Sequence, residues 1–176
     1  HMNIPPSAIM KEKIDPKLFK EGKQWLNKQP LKIYISDRLQ DIERETAMMV
    51  TQNRCNIVYI DYLQLIDAGH KKEYDNVTAA SKAMKQLGKK MDIPVVALAQ
   101  LSRDLEKRGG DKKPILSDLK NSGQIEQDAD VVEFLYRPEE YGIDQDEEGN
   151  SLIGKMFYIN GKLRGGRAHQ TIELKW

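Results

Sequence analysis

The chain is expected to be an α/β protein with a largely parallel sheet, flanking helices and a late strand-rich section. Three observations predict this. Two short apolar runs, one ending at Asp61 and one spanning Ile93–Ala99, lack the apolar/polar alternation of a half-exposed strand, as expected for strands covered on both faces of a parallel sheet. Between them Val77, Ala80, Met84, Leu87 and Met91 recur at three- and four-residue steps, the pattern of an amphipathic helix packed into a core. Strand-like runs then crowd the last third of the chain.

Composition narrows the class. With 176 residues, 39% hydrophobic and 31% charged, the chain suits one ordinary globular domain with a real core rather than a disordered segment. A net charge of +1 supplies no overall basic field, so any nucleic-acid binding must come from a local patch. The single cysteine, Cys55, excludes a disulfide framework and suits a reducing cytosol. No apolar run approaches the ~20 residues that span a bilayer, and no secretory signal is visible. A cytoplasmic location without a membrane partner is therefore expected. His1-Met2 reads as a tag remnant, which leaves residues 3–176 as the domain, with the natural protein expected to extend upstream.

Taken in order, residues 3–13 form an irregular lead-in around Pro5-Pro6. Asp15-Pro16 opens a helix, a capping acceptor followed by proline at the first helical position. It runs to about Asn27, and Gln29-Pro30 stops it. Leu31, Ile33 and Ile35 alternate and predict a strand. A helix over about Gln40–Gln52 places Ile42, Thr46, Met49 and Val50 on one face. After the strand that ends at Asp61 come a polar loop, Asp67–Asp75, the amphipathic helix, and the strand that ends at Gln100. Residues 101–119 are polar and basic around Gly109-Gly110. Val131–Tyr136 predicts a strand, Glu139–Asn150 an acidic loop, and Lys155–Ile159 and Gln170–Trp176 two further strands.

One tempting phosphate loop is set aside. Gly149 to Met156 follows G-x-x-x-x-G-K-[ST] up to its last position, where Met156 has no hydroxyl for Mg²⁺. An acidic loop precedes it and a strand is expected to follow, whereas the motif needs a strand before and a helix after. Asp61 is a better lead. Ligands of open α/β sheets sit beyond the carboxyl ends of strands, and a carboxylate there can hold a Mg²⁺-bound water beside a nucleotide triphosphate, as a Walker B aspartate does. The plainer alternative is an aspartate that ends a strand and starts a turn.

Four segments decide between these. Ile57–Ile66, with its core Ile60-Asp61-Tyr62-Leu63-Gln64-Leu65, resembles the Walker B segment of the replicative hexameric DNA helicases of the DnaB type. Pro94–Arg103 resembles the next strand of that family, Ser117–Asp130 its most distinctive segment, and Gly161–Gly166 its Lys-x-Arg-x-Gly loop. Four motifs in order at compatible spacings are more specific than any one of them. The resemblance implies a RecA-like ATPase domain, of which this chain is the C-terminal part, truncated at its N-terminal side so that the Walker A loop and a catalytic glutamate lie upstream. It implies a parent enzyme that unwinds duplex DNA by ATP-driven translocation on single-stranded DNA, with ATP and Mg²⁺ as cofactors, and a fragment that is inactive alone. The implied partners are single-stranded DNA, further copies in a hexameric ring, and primase and loader proteins.

The resemblance also assigns residues. Asp61 would hold Mg²⁺ through water. Gln100, just past a strand end, would sense the γ-phosphate through an amide that both donates and accepts; the alternative is a surface glutamine. Lys162 and Arg164 alternate and would reach the nucleotide of a neighbouring subunit, Arg164 as the finger; the alternative is a solvated basic turn. Lys120, Asn121 and Gly123 match positions that contact single-stranded DNA. Lys120 stands where arginine is usual and Asn121 where glutamate is usual, so charge is kept at the first while the planar fork is lost. Lys107, Arg108, Lys112 and Lys113 flank Gly109-Gly110 in a basic loop suited to tracking a phosphate backbone. A second loop with His70, Lys71 and Lys72 is a further candidate for a central channel. Either loop can equally be a solvated charge run. His70 and His169 show no metal-ligand spacing. Two rival readings remain: another RecA-like ATPase such as a recombinase, and a non-hydrolysing RecA-like module that binds DNA or helicase subunits.

Overall fold

The computed structural model describes residues 15–120 and 122–174, in two compact units, residues 1–35 and 36–176. In the first unit, Asp15 caps helix α1 (Pro16–Asn27): its Oδ1 accepts the Lys17 N–H at 2.8 Å. Pro16 takes a position where a missing N–H costs nothing. The strand expected at Leu31–Ile35 is not there. The segment has no regular structure, and Ile35 is 94% exposed. Alternation supplies an apolar face, but a strand needs a neighbouring backbone for its ladder, and none pairs with this segment among the described residues.

The second unit runs α2 (Leu39–Thr51), β1 (Val58–Ile60), α3 (Glu73–Met91), β2 (Val95–Ala97), α4 (Asp104–Lys107), α5 (Ser122–Asp128), β3 (Val131–Tyr136), β4 (Met156–Leu163) and β5 (Thr171–Leu174). β1 and β2 are parallel, with Val58 opposite Val95 and Ile60 opposite Ala97. β3, β4 and β5 form a separate antiparallel sheet in that order. The class is α/β as expected, but the largely parallel sheet is not found. β2 and β3 both line an open groove of about 1070 Å³, and among the described residues no strand lies between them to join the two sheets.

The parallel strands are covered on one face rather than two. Ile60, Val95 and Ala97 pack toward the core, while Tyr59 is 68% exposed and Val96 is also exposed. An apolar run without alternation therefore overstated their burial. α3 is the centre of the packing. Val77 and Ala80 are fully buried, and Met84 and Leu87 nearly so, one stripe at the helical period. Against this stripe lie Leu63 and Ile66 after β1, Ile125 of α5, Val132, Phe134 and Tyr136 of β3, and Ile159 of β4. β3 alternates as its sequence predicts, with Val132, Phe134 and Tyr136 inward.

β4 continues to Leu163, four residues beyond the expected end at Ile159. It carries Gly161 into the interior, where an added Cβ would stand 2.5 Å from Phe134 Cε2. Only a residue without a side chain permits that approach. The rejected phosphate loop is a turn closed by a Gln145–Ser151 bridge and followed by β4.

Candidate functional site

The carboxyl ends of β1 and β2 are joined by a ladder that continues past both strands. The Leu98 N–H donates to Ile60 O at 2.9 Å, and the Leu63 N–H donates to Leu98 O at 3.0 Å. Asp61 lies between these bonds with its side chain exposed. Leu63 is buried and anchors a single 3-10 turn, Leu63–Leu65. Gln64, in that turn, reaches across: its Oε1 accepts the Gln100 N–H at 3.1 Å, and its Nε2 approaches Gln100 O at 3.5 Å. Gln100 O also accepts the Lys120 N–H at 3.1 Å, beside a Leu101–Leu119 bridge and a Ser102 N–H to Asp118 O bond of 2.7 Å. The residues on either side of Asp61 are thus tied by hydrogen bonds to the segment of Gln100, and Gln100 to Lys120, at one end of the parallel pair.

Lys120 extends this group toward the second loop. Its Nζ lies 2.7 Å from Glu73 Oε1, at the first turn of α3. Asn76, one turn further on, fixes the loop before α3. Its Oδ1 accepts the N–H groups of Ala68 (3.0 Å) and His70 (2.9 Å), and its Nδ2 donates to His70 O at 2.8 Å. His70, Lys71 and Lys72 stay exposed. Gly123 is exposed in the first turn of α5, with open space where a Cβ would stand. Asn121 lies outside the described residues.

The four cations around Gly109-Gly110 divide. Lys107 stands in solvent beside Asp104 at 3.4 Å, and Lys113 is exposed. Arg108 instead forks onto Asp118, with Nη1 2.9 and 3.0 Å from its two oxygens, while Nε and Nη2 donate to the carbonyls of Asp111 and Lys113. Lys112 Nζ donates to the carbonyls of Glu106 and Arg108 at the end of α4. A cation there satisfies terminal carbonyls that the helix leaves open. Two of the four cations are therefore engaged in holding the loop's shape.

Lys162, the penultimate residue of β4, and Arg164, one residue beyond the strand, both turn onto the carboxyl end of α5. Lys162 Nζ donates to Glu126 O, and Arg164 Nη2 donates to Gln127 O at 2.9 Å. Arg164 Nε sits 3.1 Å from Asp130 Oδ1, and the Arg164 N–H donates to Asp130 O at 2.8 Å. Lys85 of α3 also donates to Asp130. That hydrogen bond, with the charges of Lys85, Arg164 and Lys162, holds the Asp130 carboxyl below the usual aspartate range. The side chain of Arg164 remains 55% exposed.

α3 spaces these two groups. Glu73, which meets Lys120, and Lys85, which meets Asp130, are twelve residues apart on it, or ~18 Å along its axis at 1.5 Å per residue. The hydrogen-bond partners of Arg164 and Lys162 (Glu126, Gln127 and Asp130) are distinct from those of the ladder around Asp61. Among the described residues, no three His, Cys, Asp or Glu side chains gather to hold a metal ion by themselves. Asp61, a single exposed carboxylate at a strand end, fits a Mg²⁺ ion that takes most of its ligands from water and phosphate oxygens. No helix among the described residues is long and apolar enough to cross a membrane.

Comparison with known proteins places the chain in a family. A family model described as the DnaB-like helicase C-terminal domain matches residues 2–176. The chain belongs to that family. It is 41% identical to the replicative DNA helicase DnaB of Geobacillus stearothermophilus over 128 residues, covering 69% of this chain and 28% of the relative. To that of Mycoplasma pneumoniae it is 41% identical over 151 residues, covering 81% and 31%. The chain thus spans under a third of the length of these curated relatives. Among solved structures it resembles an ATPase domain with a TM-score of 0.78 at 28% identity, covering 97% of this chain and 61% of that one. It also resembles a DnaB-like replicative helicase studied for its interactions with primase, with a TM-score of 0.67 at 33% identity, covering 81% and 34%.

Three residues of the site carry no assignment from sequence reasoning alone: Gln64, Glu73 and Asp130. Gln64 and Asp130 fall inside the motifs quoted above, but neither periodicity nor charge marks them. Each acquires its role from a partner 36, 47 or 45 residues away, across the fold.

Proposed function

We propose that this chain is the C-terminal part of a RecA-like ATPase domain in a replicative DNA helicase, which unwinds duplex DNA by ATP-driven translocation on single-stranded DNA. The reading rests on the hydrogen bonds that gather the strand end carrying Asp61, Gln100 and Lys120 in a member of the DnaB-like family. In it, Asp61 orients metal-bound water at the end of β1. When bound, Mg²⁺ would neutralise charge on the transferred phosphoryl group. Gln100 meets the γ-phosphate with its side chain while its carbonyl holds Lys120. Lys120, Lys107 and Lys113 follow the DNA backbone by charge, without reading bases. Asn121 and Gly123 belong to the same proposed contact, whereas Arg108 and Lys112 shape the loop that presents it.

Arg164 and Lys162 act on the nucleotide of a neighbouring subunit. The spacing along α3 supports a site distinct from that of Asp61, and the exposure of Arg164 leaves it open to a partner. A closed ring needs a head-to-tail interface in which the finger face of one copy meets the nucleotide face of the next. A hexameric ring, and primase and loader proteins as partners in the cytoplasm, complete the proposal.

The test uses the full-length parent. Arg164→Ala should lower maximal ATP hydrolysis ~10³-fold, the range of an arginine finger supplied in trans, while largely sparing nucleotide binding. Asp61→Asn should damage the subunit's own site. Mixed oligomers of the two variants then contain some intact composite sites and recover part of the activity. Free subunit exchange without recovery would place Arg164 in cis or in a purely structural role.

A further inference from the structure

We propose that Gln64 is a positioning residue that couples the Asp61 end of β1 to the Lys120 loop through the backbone of Gln100. The inference deepens the helicase reading and rests on it. A primary amide carries one acceptor and one donor side, and Gln64 presents both to a single residue. Its Oε1 takes the Gln100 N–H at 3.1 Å and its Nε2 faces Gln100 O at 3.5 Å. The same carbonyl accepts the Lys120 N–H at 3.1 Å. Gln64 is itself held by its turn: Leu63 beside it is buried, and the Leu63 N–H is bonded to Leu98 O at 3.0 Å.

These bonds have a mechanical consequence. The turn that follows Asp61 holds both the N–H and the carbonyl of Gln100, and the Lys120 N–H shares that carbonyl. A tilt of Gln100, imposed by whatever its side chain meets, is then shared between the Asp61 turn and the Lys120 segment. Without Gln64 the tilt is absorbed locally, because past β2 the Gln100 N–H has lost its fixed partner. Alanine removes both bonds. Glutamate keeps an acceptor for the Gln100 N–H but sets a second acceptor against the carbonyl. Neither change touches Asp61 or the side chain of Gln100.

The experiment compares Gln64→Ala and Gln64→Glu with wild type in the full-length parent. It measures ATP hydrolysis with and without single-stranded DNA, and amide hydrogen exchange over residues 98–102 and 118–120. Gln64→Ala is expected to lower the ratio of DNA-stimulated to basal hydrolysis ~10-fold, within the usual range of coupling between sites. The loss should appear in kcat rather than in KM for ATP, with faster exchange at Gln100 and Lys120. Gln64→Glu is expected to restore protection at Gln100 and part of the ratio. An unchanged ratio and unchanged exchange at Lys120 in Gln64→Ala would overturn the inference. So would a parallel fall of basal rate, stimulated rate and thermal midpoint, which marks a structural role only. Gln100→Ala is run alongside. Unaltered hydrolysis in that variant would remove Gln100 as a sensor, while exchange at Lys120 in Gln64→Ala still decides whether Gln64 couples the two segments.

Discussion

At the residue scale, cations of similar appearance have different tasks. Arg108 satisfies Asp118, a carboxylate buried at the end of the basic loop, and two loop carbonyls. Arg108→Ala should therefore lower stability by about 1–3 kcal/mol, the range for leaving a buried acceptor unsatisfied. The lower part of that range is expected because the Arg108 side chain keeps 31% exposure and some solvent screening. Urea unfolding measures this, and an unchanged midpoint would return Arg108 to the free cations. Lys107, out in solvent, should leave stability within ~0.5 kcal/mol when cut to alanine. In the parent, Lys107→Ala and Lys120→Ala should each reduce the salt slope of single-stranded DNA binding by about one unit. Equal slopes would strike that lysine from the contact list.

Asp130 adds a pH signature at the same scale. Its carboxyl is held below the ordinary value of 3.8, first by the Lys85 hydrogen bond and then by the charges around it. A carboxyl depressed by folding contributes stability that is complete above its unfolded pKa and is lost as pH falls through the lower folded value. The tether on Arg164 should thus be intact at neutral pH and give way only in acid, below the ordinary value of 3.8. An acid titration of the Arg164 Nε resonance should show that step in wild type and lose it in Asp130→Asn. A step retained in the variant would assign the tether to the α5 carbonyls alone.

At the element scale, α3 is both the core of the second unit and the ruler between its two cationic groups. Met84 lies in the middle of its buried stripe. Met84→Ala should cost about 2–5 kcal/mol, as large-to-small changes in closed cores do. A small loss would mean that the adjoining groove lets the site collapse. β4 leads into Arg164, the proposed finger, and its close approach to β3 depends on Gly161. A methyl there would stand 2.5 Å from Cε2 of the buried Phe134 ring, which must shift to admit it. Gly161→Ala should cost about 1–3 kcal/mol from overpacking and should also lower hydrolysis in the parent, because Lys162 and Arg164 follow directly. Loss of stability with unaltered hydrolysis would separate the strand from the finger.

At the scale of the whole molecule, the nucleotide site is incomplete in any single copy on the proposed reading. The sequence holds no G-x-x-x-x-G-K-[ST] in a strand-to-helix setting, and Arg164 is proposed to serve a neighbour. The isolated 176-residue chain is therefore expected to show no DNA-stimulated ATP hydrolysis. Measurable hydrolysis that Asp61→Asn abolishes would overturn this. With a net charge of only +1, its binding to single-stranded DNA should be weak and should fall steeply with salt.

What the sequence determined by itself follows from local rules. Asp15-Pro16 sets the start of α1 because a cap and a fixed φ act within one turn. The α3 stripe and the alternation of β3 are periodic, so their faces could be named in advance. The ordered motifs likewise carried the family. Tertiary structure decided what depends on a partner. Leu31–Ile35 has the alternation of a strand and no ladder. β1 and β2 are apolar on both sides but covered on one. α5 has no element assigned to it from sequence, since seven residues hold too little periodicity. The division of basic residues into solvated and engaged ones, and the link from Asp61 through Gln64 and Gln100 to Lys120, were equally hidden. A side chain's type and spacing are local, but the group that satisfies its hydrogen bonds is chosen by the fold.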